Sequence, residues 1–330
     1  MLDDWMTAHV PGFAGPGRLT RLSGGQSNPT WRVDAPSGAY VLRQKPVGAV
    51  LPSAHAVDRE FRVMQALAGT DVPVPKVHAL CEDAGVMGSM FLVMEHVAGR
   101  VFLDPRLPGL TPEERAGIFD SMNAAIAAVS MVDPLAVGLG GYGRQGGYVE
   151  RQVTRWTRQY RASQTRDIPA MDALIDWLPQ NLPQAPEEVR IAHGDFRLDN
   201  LIVHPTEARV LAVVDWELST LGCPYADFAY NVMAWRVAPD LFRGLGGVDL
   251  RGTGIPSEVE YLQAWCHRTG RERPERFDFY IILALFRIAA IVQGIAKRAL
   301  DGTAADPGAA ELGARAAPLA DIAWDMARRA

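Results

Sequence analysis

The hydrophobic pattern changes once along the chain, and that change limits the folds the chain can adopt. Up to about residue 97 the apolar residues mark short strands, except between Ala54 and Leu67, where they recur at helical spacing. After Thr111 helical spacing prevails, and only Leu201–Val203 and Val210–Val214 resemble short buried strands. The pattern predicts an α+β protein in which a small antiparallel β lobe with one helix precedes a larger, mainly helical lobe.

The expected elements follow from this pattern. Strands are predicted at Arg18–Leu22, Thr30–Asp34, Ala39–Arg43, Val77–Leu80 and Met90–His96. Helices of the second lobe are predicted at Thr111–Val129, Glu150–Ser163, Met171–Leu178, Tyr225–Arg236, Ser257–Arg268 and Phe277–Leu300. We place the junction near Glu95–Arg100, so that residues 1–97 form the first lobe and 98–330 the second, with a linker and a last helix after Ala304.

Composition narrows the range of functions. The 330 residues are 48% apolar, enough to bury a sizeable core, and the net charge of −5 gives no broad nucleic-acid surface. The three cysteines lie far apart without zinc or disulfide spacing, which favours a reducing, cytoplasmic setting. The first residues are acidic, unlike a secretory signal, and the apolar stretch Phe279–Ala296 is interrupted by Arg287 and Gln293. We therefore expect a core helix there, and no nucleic-acid or membrane partner.

Several nucleotide-binding and hydrolase motifs are absent from the sequence. Its three lysines are Lys45, Lys76 and Lys297, and none completes the phosphate-binding loop GxxxxGK[ST]. HExxH and GxSxG do not occur. One GxGxxG occupies Gly138–Gly143, but it follows a helical segment with Pro134 instead of a strand. We interpret it as a glycine-rich turn.

One motif carries a specific chemistry. The segment His193-Gly194-Asp195-Phe196-Arg197-Leu198-Asp199-Asn200 is followed fifteen residues later by Asp215-Trp216-Glu217. Phosphoryl transfer needs a carboxylate at the incoming hydroxyl and oxygen ligands for Mg²⁺, and this order of residues supplies both. Asp195 is the expected base, and Asn200 and Asp215 are the expected Mg²⁺ ligands, since amide and carboxylate oxygens suit that ion. The alternative is a polar loop with an ordinary capping aspartate.

The chain resembles the aminoglycoside phosphotransferase-like kinases from about Leu22 to Trp235. Four segments look like the branch fused to acyl-CoA dehydrogenases in animals: LSGGQSNPT at 22–30, YVLRQKP at 40–46, HGDFRLDN at 193–200 and DWELSTLG at 215–222. The resemblance implies a two-lobed protein-kinase-like fold, with a nucleotide-binding lobe and a catalytic, substrate-binding lobe. It also implies ATP and Mg²⁺ as cofactors and a small-molecule hydroxyl as acceptor, notably that of a 4-hydroxyacyl-CoA.

The resemblance places the nucleotide on the first lobe. The covering loop corresponds to Gly24, Gly25, Gln26, Ser27 and Asn28, whose backbone N–H groups could meet phosphates, with a plain hairpin turn as the alternative. Arg43 stands where protein kinases have a strand lysine, so we expect it to bind phosphates and to pair with Glu60, unless both are merely solvated. Glu95 and Val97 lie in the lobe connector, whose backbone holds the adenine edge.

Two further positions match the family and two depart from it. Asp227 corresponds to the structural aspartate that braces the catalytic loop, and His193 is expected to orient that loop instead of carrying a proton. Cys223 stands where relatives tend to have aspartate. Asp215-Trp216-Glu217 replaces Asp-Phe-Gly, so the glycine hinge is missing and the metal site is expected to be always assembled.

A basic helix face is the candidate acceptor site. Arginines recur there at steps of four, three and three beside an aromatic pair: Arg151, Arg155, Arg158 and Arg161, with Trp156 and Tyr160. Guanidinium groups bind phosphates, so this face could receive the phosphates and adenine of coenzyme A. A solvated face with a buried aromatic pair is the alternative.

Two other functions stay open at this point. One is an aminoglycoside, macrolide or other small-molecule kinase. An acidic lining of the helical-lobe cleft would favour cationic antibiotics, whereas a basic lining would favour a coenzyme A thioester. A nucleotide-binding scaffold without catalysis has no need of Asp195, Asn200 and Asp215 together. A protein kinase is disfavoured because only nine residues separate Glu217 from Asp227, too few for a peptide-docking loop.

Overall fold

The computed structural model describes residues 1–22, 28–46, 56–184, 187–304 and 306–330. The N-terminal part contains strands β1 (Arg18–Arg21), β2 (Thr30–Ala35), β3 (Gly38–Gln44), β4 (Val77–Cys81) and β5 (Phe91–Glu95), and helices α1 (Leu2–His9), α2 (Val57–Leu67) and α3 (Ala84–Met87). The five strands form one antiparallel sheet in the order β1-β2-β3-β5-β4. The expected small antiparallel lobe is confirmed.

The two faces of this sheet are covered by different parts of the chain. On one face Met6, Phe13, Val33 and Phe91 form a separate apolar cluster under α1 and the segment that follows it. Side chains alternate along β5, so Leu92 lies on the opposite face and packs with α2 in the main core of the protein. The first lobe therefore shares its inner face with the second.

The larger part of the chain is mainly helical. Its helices are α4 (Pro112–Met131), α5 (Tyr148–Ser163), α6 (Pro169–Gln180), α7 (Pro224–Val232), α8 (Pro239–Phe242), α9 (Glu258–Thr269), α10 (Phe277–Leu300), α11 (Ala309–Ala314) and α12 (Ala316–Ala327). Four short strands form two antiparallel pairs: β6 (Arg190–Ala192) with β9 (Thr220–Gly222), and β7 (Leu201–Val203) with β8 (Val210–Val213). Single 3₁₀ turns occupy Leu198–Asn200, Trp216–Leu218 and Met233–Arg236.

Two long helices organise this lobe. α4 begins at a capping box, in which Thr111 Oγ1 accepts the Glu114 N–H at 3.2 Å and Glu114 Oε2 accepts the Thr111 N–H at 2.8 Å. α10 is apolar nearly all round because it packs against α5, α7, α11 and α12. Of the part of the chain that the structure describes, α10 alone is long and apolar enough to cross a membrane, and 78% of its apolar window is buried. That burial confirms the expected core helix.

The structure differs from the predicted elements in several places, and the short helices α1, α3 and α8 are among the elements that the pattern does not predict. The helix expected over Tyr225–Arg236 is α-helical only to Val232 and then tightens into a 3₁₀ turn. After Ala304 the chain forms two helices instead of one, and Gly313 lets them approach α10, since a Cβ there would lie 2.6 Å from Cβ of Ala296. β6 and β9 are not predicted by the pattern because three residues are too few to show strand periodicity.

The lobes are joined by more than the connector. Arg100, just after the connector, pairs with Val203 of β7 through backbone hydrogen bonds of 2.7 and 2.8 Å. Arg59 of α2 donates to the carbonyls of Tyr142 at 2.9 Å and Ser219 at 3.2 Å. Tyr142 belongs to the expected glycine-rich turn, so that turn serves as an attachment point for α2.

Candidate active site

Two loops from neighbouring strand pairs build the site. Residues 193–200 connect β6 to β7, and residues 214–219 connect β8 to β9. Because β6 pairs with β9 and β7 with β8, both loops lie at the same end of these pairs. The Val214 N–H donates to the Asn200 carbonyl at 2.9 Å and fixes one loop against the other. The strand pairing thus brings Asn200 and Asp215 to one place, as expected.

Asp227 holds the first of these loops by its backbone. Its Oδ2 accepts the His193 N–H and its Oδ1 accepts the Gly194 N–H, both at 2.8 Å. Burial raises the pKa of this carboxyl, against the effect of His193 and of the two N–H groups. The bracing role expected of Asp227 is confirmed.

His193 and Gly194 set the shape of the loop. The Asp195 N–H donates to Nδ1 of His193 at 3.2 Å, so the hydrogen-bond network places the ring proton on Nε2, 3.0 Å from the Val214 carbonyl. Both ring nitrogens are therefore used in orienting the loop, as expected. Gly194 has a φ of 83°, and a Cβ there would lie 2.7 Å from the Leu218 carbonyl oxygen, so only glycine fits.

The candidate base, Asp195, is oriented by two hydrogen-bond donors. The Tyr230 hydroxyl donates to Oδ1 at 2.5 Å, and Asn200 Nδ2 donates to Oδ2 at 3.1 Å. Arg197 Nε lies 3.5 Å from Oδ1, and the Asp195 side chain is 22% exposed. Each carboxylate oxygen has two lone pairs, so Asp195 can still accept a hydrogen bond from an incoming hydroxyl.

Arg197 supplies a fixed positive charge beside the base. Its Nη2 and Arg243 Nη1 both donate to Oδ2 of Asp199 at 2.7 Å. Burial opposes the charge of Arg197, but Tyr230, Asp195 and Asp199 outweigh it and raise the pKa of the guanidinium. A cation in this position can stabilise the negative charge of a phosphoryl group during transfer.

Arg43 links three carboxyl groups from both lobes. Its Nε lies 3.0 Å from Glu60 Oε2, which confirms the predicted ion pair. Its Nη2 lies 2.5 Å from Asp215 Oδ1 and 3.5 Å from Glu217 Oε2. β3 is an inner strand and the Arg43 side chain is 12% exposed, so a solvated edge arginine does not describe this residue.

The charges around Arg43 do not cancel. One guanidinium faces the carboxyl groups of Glu60, Asp215 and Glu217. Burial raises the pKa of Glu60 to about 7; Arg43 opposes this shift, and Asp215 and Glu217 add to it. The site therefore carries an excess of negative charge that a divalent cation can neutralise.

Asn28 is the part of the predicted nucleotide loop that lies within the described residues. Gly24, Gly25, Gln26 and Ser27 lie outside them. Asn28 is 1% exposed, and its Nδ2 donates to Glu217 Oε2 at 3.2 Å. The end of the loop is thus fixed to the same carboxyl group that Arg43 contacts.

The donor set fits Mg²⁺. Asn200 uses its Nδ2 to donate to the Asp195 carbonyl at 2.8 Å as well as to its carboxylate, which leaves Oδ1 as the atom available to a cation. Asp215 adopts a left-handed backbone with a φ of 68° at the start of the facing turn. Within the described ranges no three His, Cys, Asp or Glu side chains cluster as a complete metal site. Mg²⁺ needs no such cage because it retains water and substrate phosphates as ligands.

The lobe connector begins where β5 ends, at Glu95. The Glu95 N–H donates to the Lys76 carbonyl at 2.9 Å and keeps the connector beside β4. Val97 follows, and at Gly99 a Cβ would lie 2.4 Å from the Val203 carbonyl oxygen, so the chain there lies directly on β7. Contact of Glu95 and Val97 with adenine stays a prediction.

The expected basic face of α5 is divided between internal contacts and solvent. Arg151 donates to the carbonyls of Gly146 and Arg144. Arg161 Nη1 lies 2.5 Å from Asp172 Oδ1. These two arginines hold the local structure together, whereas Arg155 and Arg158 are exposed.

The aromatic pair of α5 is buried. Trp156 is 6% exposed and Tyr160 is 0% exposed. The prediction that Tyr160 contacts coenzyme A is wrong, because its ring lies inside the core formed by neighbouring helices. For this pair the alternative, a buried aromatic pair, is correct.

A cluster of positive charge nevertheless lies beside the catalytic loop. The pKa of Arg155 is lowered by partial desolvation of its guanidinium group, although the residue as a whole is exposed, and by the nearby charges of Arg287 and Arg158. Arg287, from α10, donates to the Gly194 carbonyl at 2.5 Å, and its guanidinium lies 4.7 Å from the ring centre of Tyr230. An anion bound here would relieve the repulsion among the three arginines.

Three side chains at this site are not among the predicted residues, although each had a sequence signal. Arg197 lies inside the motif, two residues after Asp195. Tyr230 lies three residues after Asp227, one turn along the same helix face. Arg287 interrupts an apolar stretch, where a charged side chain needs a polar partner.

A two-lobed fold with these two loops at the junction defines the kinase-like phosphotransferases. The sequence agrees over most of its length, since residues 18–279 match the APH phosphotransferase enzyme family. The chain belongs to that family.

Curated relatives place it within one branch. Acyl-CoA dehydrogenase family member 10 of Mus musculus is 46% identical over 317 residues, which cover 96% of this chain and 30% of that protein. Acyl-CoA dehydrogenase family member 11 of Rattus norvegicus is 41% identical over 336 residues, covering 99% of this chain and 43% of that protein. The chain therefore spans less than half the length of these relatives, and the predicted resemblance to the kinase-like part of such fusion proteins is confirmed.

Solved structures share the fold. A provisionally named aminoglycoside phosphotransferase from Ralstonia eutropha is 52% identical, with a TM-score of 0.92 over 99% of this chain and 97% of that one. An aminoglycoside phosphotransferase solved with ADP and hygromycin B is 18% identical, with a TM-score of 0.63 over 98% of both chains. The ethanolamine kinase of Plasmodium vivax is 12% identical, with a TM-score of 0.61 over 96% of this chain and 86% of that one. The last two show the common fold alone, and together these structures confirm the predicted kinase-like architecture.

Proposed function

We propose that the protein transfers the γ-phosphoryl group of ATP to the hydroxyl of a hydroxyacyl-CoA, of the 4-hydroxyacyl type, with Mg²⁺ as cofactor. The reaction type is supported by the arrangement at Asp195. Its carboxylate is held by Tyr230 and Asn200 and can accept one more hydrogen bond, as a base for an alcohol must.

The proposed reaction is a direct transfer of the phosphoryl group from ATP to the acceptor. The acceptor oxygen forms a bond to the γ-phosphorus while the bond from that phosphorus to the β–γ bridging oxygen breaks, and ADP leaves with the electron pair. The acceptor proton passes to Asp195, and Arg197 stabilises the charge on the phosphoryl oxygens. Asn200 and Asp215 would hold Mg²⁺, which neutralises the nucleotide phosphates when bound.

The acceptor class is supported by the cluster of Arg155, Arg158 and Arg287 beside the catalytic loop. The guanidinium carbons of Arg155 and Arg287 lie 5.1 and 5.4 Å from the centre of the Trp156 ring, and the charge of Arg158 is near enough to lower the pKa of Arg155. Coenzyme A carries phosphates that such a cluster attracts, whereas a cationic antibiotic would be repelled. Relatives named for acyl-CoA dehydrogenation lend further support to a thioester acceptor. A basic lining is the one expected for a coenzyme A thioester, and these arginines support that choice over a cationic antibiotic.

Mass spectrometry of a 4-hydroxyacyl-CoA incubated with ATP, Mg²⁺ and the protein tests the reaction. We expect the thioester to gain one phosphoryl group with the wild type and the rate to fall about 10²- to 10⁴-fold with Asp195→Asn. If the thioester stays unchanged while ATP still binds, the acceptor is another hydroxyl compound, and antibiotics such as hygromycin B become the next substrates to try. If ATP binds but neither a thioester nor an antibiotic is phosphorylated, a nucleotide-binding scaffold without catalysis replaces the kinase.

Arg155→Gln tests the acceptor site separately. Loss of one charge-assisted contact should raise the KM for the thioester about tenfold and leave the KM for ATP unchanged. Arg161→Gln is the matched control, because Arg161 lies on the same helix and pairs with Asp172. Equal effects of both variants would remove the support for a coenzyme A site at this face.

A further inference from the structure

An apolar cavity beside the catalytic loop is not used in the function proposed above. It has a volume of about 50 Å³ and lies between α4, the 3₁₀ turn that follows α7 and the segment around α8. Apolar side chains form most of its wall: Phe119, Met122, Met233, Val237, Phe242 and Leu245. A cavity with such a wall favours an aliphatic group over a polar one.

The polar residues at the edge of this cavity are already paired. Asp199 accepts hydrogen bonds from Arg197 and Arg243 at 2.7 Å each, and all three line the cavity. Because these side chains already pair with one another, they do not require a charged ligand inside the cavity. Arg197 also lies 3.5 Å from Asp195 Oδ1, so the cavity edge is adjacent to the candidate base.

A second, smaller cavity also borders Tyr230. It has a volume of about 20 Å³, and Trp156 and Arg287 contribute to its wall, close to the arginine cluster. Tyr230 lines both cavities and, among the described residues, is the one side chain that does so. Since the Tyr230 hydroxyl donates to Asp195, the base lies close to both the apolar cavity and a second cavity to which Arg287 brings a positive charge.

This arrangement matches the shape of a secondary alcohol in the middle of a chain. The carbon that bears the hydroxyl of a 4-hydroxyacyl-CoA has the thioester on one side and an alkyl end on the other. With the hydroxyl at Asp195 and the thioester side of the acceptor directed toward Arg287, the alkyl end faces the apolar cavity.

We propose that the apolar cavity binds the alkyl end of the acceptor and restricts the enzyme to short chains; the proposal rests on the function proposed above. An apolar cavity of about 150 Å³ holds benzene, which has six carbons, and the volume of about 50 Å³ is about a third of that. The cavity thus holds about two carbon-sized groups beyond the hydroxyl.

The test is the chain-length dependence of kcat/KM. Wild type, Met122→Ala, Ala234→Leu and the control Met131→Ala are assayed with 4-hydroxyacyl-CoA thioesters of four, five, six, eight and ten carbons. Met122 and Ala234 line the cavity, whereas Met131 lies on the same helix as Met122 and outside the cavity wall. The four-carbon thioester has no carbon beyond its hydroxyl and serves as the reference substrate.

We expect wild type to lose about tenfold or more in kcat/KM between six and eight carbons. Met122→Ala should raise the ratio of kcat/KM for the eight-carbon thioester to that for the four-carbon thioester by about tenfold. Ala234→Leu should lower the corresponding ratio for the six-carbon thioester. Met131→Ala should change neither ratio. Thermal unfolding checks that each variant is folded. If Met122→Ala is unfolded, Ala234→Leu alone tests whether the cavity restricts the chain length.

The outcomes separate the two proposals. If wild type phosphorylates the four-carbon thioester but the ratios are the same in all folded variants, the cavity proposal is overturned and the function stands. If wild type phosphorylates no thioester, the proposed function fails and the cavity proposal falls with it.

Discussion

The hydroxyl of Tyr230 donates a hydrogen bond of 2.5 Å to Oδ1 of Asp195. Tyr230 is 4% exposed, and its burial, followed by the nearby charge of Asp195, raises the pKa of the phenol, which keeps it protonated as a donor. A hydrogen bond from an O–H group to a carboxylate at this distance is charge-assisted. The orientation of the base therefore depends on a side chain from a helix outside the catalytic loop.

Tyr230→Phe should lower kcat about tenfold, because a hydrogen bond to a charged group contributes about 1.5 kcal/mol or more. The KM for ATP should stay unchanged, since Tyr230 contacts the base and not the candidate nucleotide residues. Steady-state kinetics measure both constants. Tyr261→Phe is the control, because it removes a similarly buried hydroxyl that donates to Asn231 Oδ1 at 2.8 Å. An unchanged kcat in Tyr230→Phe would show that the phenol does not position the base.

Arg43→Ala should destabilise the protein by about 3–5 kcal/mol, because it leaves Glu60 buried without its cation. In the Glu60→Gln background, Arg43→Ala should lower the free energy of unfolding by about 1–3 kcal/mol less than it does in wild type. This difference is the coupling energy expected of contacting residues. Urea unfolding of the four proteins at pH 8 measures this coupling. The exposed pair Arg161 and Asp172 is the comparison and should couple by less than about 1 kcal/mol. Equal coupling in both pairs would contradict a structural role for the buried pair.

The free energy of unfolding should fall as pH rises from about 4.5 to about 7, because Glu60 has a pKa of about 7 in the folded protein against an ordinary value of 4.5. A carboxyl group with a raised folded pKa takes up a proton on folding between these values, and its stabilising contribution is lost as that proton dissociates. Glu60→Gln lacks this contribution, so its melting temperature should rise relative to wild type between pH 5 and pH 8. Thermal unfolding across that range provides the measurement, and a constant difference would assign the pH dependence to other groups.

Asp227→Asn should destabilise the protein by about 2–4 kcal/mol and lower kcat, because asparagine cannot accept both N–H groups that the carboxylate now accepts. One of the two backbone N–H groups would face the amide nitrogen of the asparagine. The loop that carries Asp195 would then lose one of the hydrogen bonds that fix it. Urea unfolding and kinetics measure the two effects. Asp325→Asn, at an exposed ion pair with Arg328, should change stability by no more than about 0.5 kcal/mol. Comparable losses in both variants would contradict the bracing role.

The parts that the sequence predicts correctly depend on local patterns. α10 is recognised from a continuous apolar stretch, and α4 from Thr111 and Glu114, whose capping contacts lie within one helical turn. The positions of Asp195 and Asn200 follow from one motif of eight residues. Short-range spacing is sufficient for such features because the interacting groups are neighbours in the chain.

The parts that the sequence does not predict depend on distant contacts. Tyr230 and Asp195 are 35 positions apart, and Arg43 and Asp215 are 172 positions apart. For Tyr160, spacing shows which residues share a helix face but not which face points inward. α1 is absent from the predicted elements because eight residues give too short a pattern, and its place is set by packing on the sheet.

The attachment of α2 to the second lobe has a consequence for cooperativity. Its residues Val63, Met64 and Leu67 belong to the main core, and Arg59 holds it to the two carbonyls of the helical lobe. The two lobes should therefore unfold in a single calorimetric transition, and two resolved transitions would contradict this. A chain cut near residue 97 separates α2 from the surface that buries it. The junction thus separates two lobes with different expected roles in catalysis, but it does not separate two independently folding units.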